Sequence, residues 1–120
     1  MFYSLDSIDP QTICPGYSAR IYHGERITFA MVEAQPLARL PEHRHENEQV
    51  GLLVRGQLTF TIAGRETTVR GGDGWVIPGD VLHGAVAGPD GALVIETWGP
   101  PREDFRQLPP AAPGAARWPT

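Results

Sequence analysis

Leu40 to Gly56 reads LPEHRHENEQVGLLVRG: a proline, two histidines one residue apart, an acidic and amide-rich stretch, then an apolar run closed by glycine. Side chains alternate across a strand, so His43 and His45 project to the same face and converge on one point. Gln49 has the same odd parity and can bring its amide carbonyl there across the irregular ENE segment. A further donor lies far downstream in GGDGWVIPGDVLHG, where His83 follows a Pro78-Gly79-Asp80 turn on what reads as a neighbouring strand. An HxH pair taken alone is equally at home as an exposed or hydrogen-bonded strand pair, so the weight rests on the joint pattern. Glu46 and Glu48 are alternative oxygen ligands or a solvated acidic rim, and His23 in the HGER turn reads as a surface histidine.

Outward from this stretch, β-prone runs recur between turn residues, and no window holds a 3.6-residue apolar stripe long enough for a helix. The runs are Ser18 to His23, Ile27 to Gln35, Glu48 to Arg55, Gln57 to Ala63, Glu66 to Arg70, Trp75 to Pro78, Leu82 to Ala87 and Ala92 to Trp98. Gly24, Gly56, Gly64, GGDG at 71–74 and GPDG at 88–91 read as the turns between them. Eight short strands must hide their edges, which predicts an all-β, closed or double-sheet architecture. ALVIETW is apolar on both faces: one lines a barrel, and the other calls for a second sheet or a second copy of the chain, hence an expected homodimer.

The 120 residues fit one domain, which at this size can bury roughly 65% of the unfolded chain's surface. With 41% hydrophobic and 20% charged residues the composition is that of a globular protein. A net charge of −4 with scattered basic residues lacks the footprint of nucleic-acid binding. No apolar segment approaches the ~18 residues of a membrane span, and no leader pattern opens the chain. Cys14 is the only cysteine, which excludes an internal disulfide and points to a reducing, cytoplasmic setting. Past Pro109 the Pro/Ala-rich tail, 109–120, cannot build a core element and is expected to fray, with Trp118 able to dock locally.

The joint spacing is HxH, three residues, a fourth ligand position, six residues and Gly56, then G-x5-P-x4-H ending at His83. Across Pro41 to Gly84 it resembles the two motifs of cupins. The resemblance implies a single-domain, double-stranded β-helix (an RmlC-like jelly-roll barrel) over residues 1–108. It also implies one divalent transition metal held by His43, His45, Gln49 and His83. Three imidazoles and one neutral amide leave the full charge on the metal, which favours Lewis-acid work or an anionic ligand; Zn, Ni, Mn, Fe and Cu all remain compatible. Two positions depart from the pattern: Leu37 where glycine is often found, and Asp80 where Gly or Asn is usual.

Downstream, VIETWGPPREDF (Val94 to Phe105) places Glu96 on the parity of Val94 and Trp98. If that face is the interior, Glu96 is a buried carboxylate of raised proton affinity and a candidate acid or base; the other reading is a surface Glu paired with an Arg. HRHENEQVGLLVRGQLTFTIAG, LHG and PPREDF together look like the small KdgF-like cupins of pectin and alginate breakdown, over most of Ser18 to Phe105. That resemblance implies ring opening and tautomerisation of unsaturated uronates, with Glu96 and Arg102 catalytic and Trp98 and Arg102 binding a small acidic substrate. Glu and Trp stand where that group commonly has Asp and Phe. An iron-dependent cupin dioxygenase and a non-enzymatic ligand-binding cupin are the rival readings, and an aromatic in a β-barrel, as Trp98 is, is more often plain core.

Overall fold

The computed structural model describes residues 1–114 of the chain. Eight antiparallel strands run as β1 (Gln11–Cys14), β2 (Tyr17–His23), β3 (Thr28–Ala34), β4 (Arg39–His43), β5 (Glu48–Ile62), β6 (Arg65–Arg70), β7 (Gly74–Ile77) and β8 (His83–Gly99). Two short 3-10 turns complete the described fold, Leu5–Ser7 and Glu103–Gln107. The hydrogen-bonded order is β1-β2-β3-β8-β5-β6, with β4 added to β8 and β7 to β5. The all-β expectation holds, and among the described residues no helix is long and apolar enough to cross a membrane.

The strands are cut differently from the sequence reading. Glu48–Arg55 and Gln57–Ala63 are one strand, β5, and Leu82–Ala87 and Ala92–Trp98 are one strand, β8. Gly56 and the GPDG stretch are corners inside these strands, where the β5–β8 register jumps from Gly56↔Ala92 to Leu58↔Ala87. At Gly56 φ is 88° and a side chain would run into the Gly91 carbonyl, so only glycine fits the corner. Each corner swaps the inward parity. On β5 the inward set passes from Gln49 and Leu53 to Leu58 and Phe60; on β8 it passes from Ala85 and Ala87 to Val94, Glu96 and Trp98. Two bent strands thereby serve both sheets of one barrel.

β1 and β4 carried no sequence signal. QTIC is short, and RLPEH contains Pro41, which removes a ladder donor; the β4–β8 register shifts between Leu40 and His43. Both departures from the motif adopt left-handed backbone, Leu37 at φ 61° and Asp80 at φ 64°. Asp tolerates this conformation, whereas Leu is strained in it.

The start of the tail makes hydrogen bonds to the barrel. Thr12 N–H donates to the Pro109 carbonyl and Ala111 N–H to the Pro10 carbonyl, and Arg20 donates to the Gly114 carbonyl. Prolines cannot donate, but their carbonyls still accept, and β1 offers donors. Trp118 lies outside the described residues. On the outer face of the barrel Val50, Leu52 and Val76 are exposed, at 44%, 43% and 61%.

Candidate metal centre and catalytic pocket

His43 ends β4 and pairs directly across from His83, the first residue of β8. His45 corrects the alternation argument: the strand stops at His43, and His45 reaches the same point from the bend before β5. That bend is held where the Asp80 N–H donates to the His45 carbonyl at 2.7 Å. The three imidazoles offer ligand atoms within 4.8 Å of one another. Glu46 and Glu48 are exposed and belong to the rim.

Every one of these rings is oriented the same way. Nδ1 of His43, His45 and His83 lies 2.8, 2.9 and 2.8 Å from the carbonyls of Pro41, Asn47 and Val81. A carbonyl only accepts, so each Nδ1 carries the proton and each Nε2 keeps its lone pair. His83 Nε2 is buried with no partner among the described residues, a costly arrangement for a polar atom unless a cation meets it. Burial pushes His83 down to about 4, which keeps it neutral, and also lowers His45, which favours its neutral form. His45 Nε2 lies 3.1 Å from Gln49 Oε1. With the His45 proton on Nδ1, this is a contact between two acceptors, and a shared cation is what reconciles them. The donor set fits a divalent transition metal.

Gln49 is oriented with equal definition. It faces Trp98 across the β5–β8 ladder, and the Trp98 indole N–H donates to Gln49 Oε1 at 2.9 Å. An indole only donates, so the oxygen side of the amide is fixed toward the imidazoles and the nitrogen side toward Glu96, to which it donates. In the next row Trp75, Gly51 and Glu96 sit side by side on β7, β5 and β8. Trp75 Nε1 donates to Glu96 Oε1 at 2.6 Å over the glycine. A side chain at Gly51 would collide with the Glu96 carboxyl and the Trp75 nitrogen, so this row requires its absence. Glu96 is 5% exposed, and burial pushes its carboxyl up to about 8 although the Trp75 and Gln49 donors pull the other way.

A cavity of about 400 Å³ lies beside these groups, lined by polar His43, Gln49, Glu96 and Arg102 and by apolar Val32, Leu58, Phe60 and Val94. The Arg102 guanidinium lies 3.9 Å from the Phe105 ring centre and 5.5 Å from that of Trp98. Its Nε and Nη2 donate to the two oxygens of Asp104 at 3.1 and 3.0 Å, a fork-to-carboxylate pair. This pairing lowers the Asp104 carboxyl. Trp98 is both core and site: it is buried, its N–H sets Gln49, and its ring meets Phe105 edge-on.

The structure thus gathers His43, Gln49, Glu96, Trp98 and Arg102 around one cavity, with His45 and His83 clustered against His43. The sequence reading missed Trp75, Gly51, Asn47 and Asp104. Trp75 carried a usable signal, since an inward Trp must find a partner for its N–H. His23 is not a free surface group: it is half-buried with Nδ1 2.8 Å from Thr28 Oγ1, and burial lowers its proton affinity.

An all-β barrel whose imidazole triad and neighbouring amide oxygen could hold a metal ion defines the class of protein. The Cupin domain profile matches residues 30–98, and the chain belongs to the cupin family. The structure of KdgF from Halomonas sp. is 30% identical with a TM-score of 0.81, covering 88% of this chain and 97% of that one. An RmlC-like cupin from Shewanella frigidimarina NCIMB 400 is 27% identical with a TM-score of 0.81, covering 87% of this chain and 94% of that one. Two curated relatives match about half of this chain. The pectin degradation protein KdgF of Dickeya dadantii (strain 3937) is 28% identical over 64 residues, which are 52% of this chain and 58% of that protein. The dimethylsulfoniopropionate lyase DddW of Ruegeria pomeroyi (strain ATCC 700808 / DSM 15171 / DSS-3) is 37% identical over 65 residues, 54% of this chain and 43% of that protein. This chain therefore spans only about half the length of the curated relatives.

Proposed function

We propose that this cupin is a metal-dependent isomerase that opens unsaturated uronate monosaccharides to their linear keto form. One observation carries the reading: three imidazole lone pairs, freed by three backbone carbonyls, face one point beside a buried carboxyl of raised proton affinity. His43, His45, His83 and Gln49 would hold a divalent cation, which supplies Lewis acidity toward a substrate oxygen.

The chain's own groups do the rest. The substrate carboxylate takes the place of Asp104 on the Arg102 fork, while the face of Trp98 and the Phe105 edge exclude water from the ring. The bond between the anomeric carbon and the ring oxygen breaks as the anomeric hydroxyl gives up its proton and becomes an aldehyde, and the ring oxygen takes a proton in its place to become an enol hydroxyl. Glu96 takes the enol proton and returns one to the neighbouring carbon, so the reaction is an isomerisation with no net proton change. Likeness to the KdgF proteins supports this substrate class. The test is to measure the metal content of the purified protein and mix it with 4,5-unsaturated galacturonate, following the double-bond absorbance. Faster decay that is abolished by chelation and restored by metal is expected; decay at the rate of buffer alone with metal bound refutes it.

The apolar lining of the cavity favours a second reading, a lyase for a small acid whose other end forms no hydrogen bonds, in line with the likeness to DddW. Consumption of dimethylsulfoniopropionate followed by NMR distinguishes the two. The proposal includes a homodimer through the exposed Val50, Leu52 and Val76 face. Sedimentation velocity is expected to give a dimer that Val76→Lys dissociates; a monomeric wild type removes this part alone.

A further inference from the structure

Asn47 lies in the bend between β4 and β5 and is 6% exposed. Its backbone carbonyl accepts from His45 Nδ1 at 2.9 Å. Its side-chain Nδ2 donates to the carbonyls of Pro100 and Pro101, at 2.5 and 3.3 Å, across 53 and 54 residues of chain. Those two prolines have no N–H and cannot continue the β8 ladder, so the chain leaves the barrel wall here with two carbonyls in need of donors. An asparagine amide carries two N–H bonds on one nitrogen and can serve both.

Beyond these prolines the chain runs as a strap along the cavity, which Arg102, Asp104, Phe105 and Leu108 line. The Arg102 N–H donates to the buried Thr28 hydroxyl at 2.9 Å. Phe105, 5% exposed, packs edge-on against Trp98 with ring centres 5.0 Å apart. Gln11 Nε2 donates to the Phe105 and Leu108 carbonyls at 3.1 and 3.3 Å, which fastens the far end. Asn47 fastens the near end, immediately before Arg102.

We propose that Asn47 is a positioning residue that sets Arg102 relative to the imidazole cluster. Its backbone fixes the ring of His45 and its side chain fixes the strap that carries the arginine, so one residue ties the two halves of the site together. The consequence for substrate rests on the acid-binding role given to Arg102 above; the tie itself does not. Because the His45 contact is made by the backbone, side-chain substitution leaves it in place. Gln11 keeps the far end attached, so losing Asn47 loosens the segment around Arg102 without releasing the strap.

The test uses the metal-loaded full-length chain with Asn47→Ala, which removes the donors, and Asn47→Asp, which keeps the shape but turns an oxygen toward the two carbonyls. Metal content, hydrogen exchange of the 102–108 segment and the Kd for galacturonate, a non-reacting acid probe, are read together. Metal content is expected to match wild type. Loss of two hydrogen bonds to the strap is expected to speed exchange at Arg102 and Phe105 by about tenfold or more and raise the galacturonate Kd by about tenfold. Should Asn47→Ala fail to fold, Asn47→Ser, with one shorter donor, carries the same comparison. Wild-type exchange rates in both variants overturn the proposal, and so does loss of metal in step with strap exchange, which would make Asn47 a support for His45 alone. A wild-type protein that ignores galacturonate counts against the uronate reading, while strap exchange still decides the tie.

Discussion

Glu96→Gln separates the chemistry from the architecture, because the structure fixes what each neighbour requires. Glu96 offers one oxygen to the Trp75 N–H and the other to the Gln49 amide N–H. An amide of the same shape offers only one oxygen, so whichever way it turns, its NH2 faces either Trp75 or Gln49 and one buried donor is left unsatisfied. That costs about 1–3 kcal/mol of stability. Working against it is the burial that pushes the wild-type carboxyl from its ordinary 4.5 up to about 8. In this window the folded protein binds a proton at Glu96 that the unfolded chain has already released, so the contribution of Glu96 to the stability of the metal-free wild type falls as pH rises from about 4.5 to about 8. The glutamine variant has no such proton, and its deficit is therefore largest near pH 5 and shrinks or reverses by pH 9. Turnover of the unsaturated uronate should fall by roughly 10²–10⁴, the usual worth of a positioned proton-transfer group. Metal content should hold, because Trp98 still points the Gln49 oxygen toward the imidazoles. Thermal unfolding of the metal-free protein at pH 5, 7 and 9, elemental analysis and the double-bond assay check each part. A variant that loses metal together with activity, or melts with the same pH slope as wild type, refutes the reasoning.

His83→Ala removes the buried, unpartnered Nε2, so stoichiometric metal should be lost, as elemental analysis reports, while the apo fold survives by circular dichroism. Asp104→Asn weakens the group that occupies the Arg102 fork and should lower the galacturonate Kd several-fold in calorimetry; a higher Kd would show that Asp104 orients the arginine instead of competing for it. Leu37→Gly relieves a left-handed leucine at an exposed position. A gain of about 0.5–1 kcal/mol in denaturant unfolding is expected, the relief of strain exceeding the added freedom of glycine in the unfolded chain.

Much of the site was legible in the sequence because its spacing follows local geometry. Strand alternation alone puts Glu96 and Trp98 on one face with Val94, and all three are buried. Arg102 was marked only by its place in the PPREDF segment, which resembles that of the KdgF-like cupins. Alternation misled at His45, which works from a bend, and at Gly56 and GPDG, which bend long strands instead of ending them. A glycine in a strand-like run signals a turn and a corner alike, and only the partner strand distinguishes them. Trp75, Asn47 and Asp104 act through partners 21, 53 and two residues away, relations with no periodicity to read.

The sequence by itself determined an all-β architecture and which face of each strand is apolar, because these follow from composition and a two-residue period, while the barrel class and the cation-holding set followed from the resemblance of its motif spacing to the cupins. Only the tertiary structure decided how those groups are aimed. Three carbonyls select the imidazole nitrogen left free, one indole selects the amide oxygen, and a missing side chain at Gly51 lets a tryptophan reach a buried carboxyl. Hydrogen-bond direction depends on where distant strands come to rest, and that is settled by packing the whole barrel.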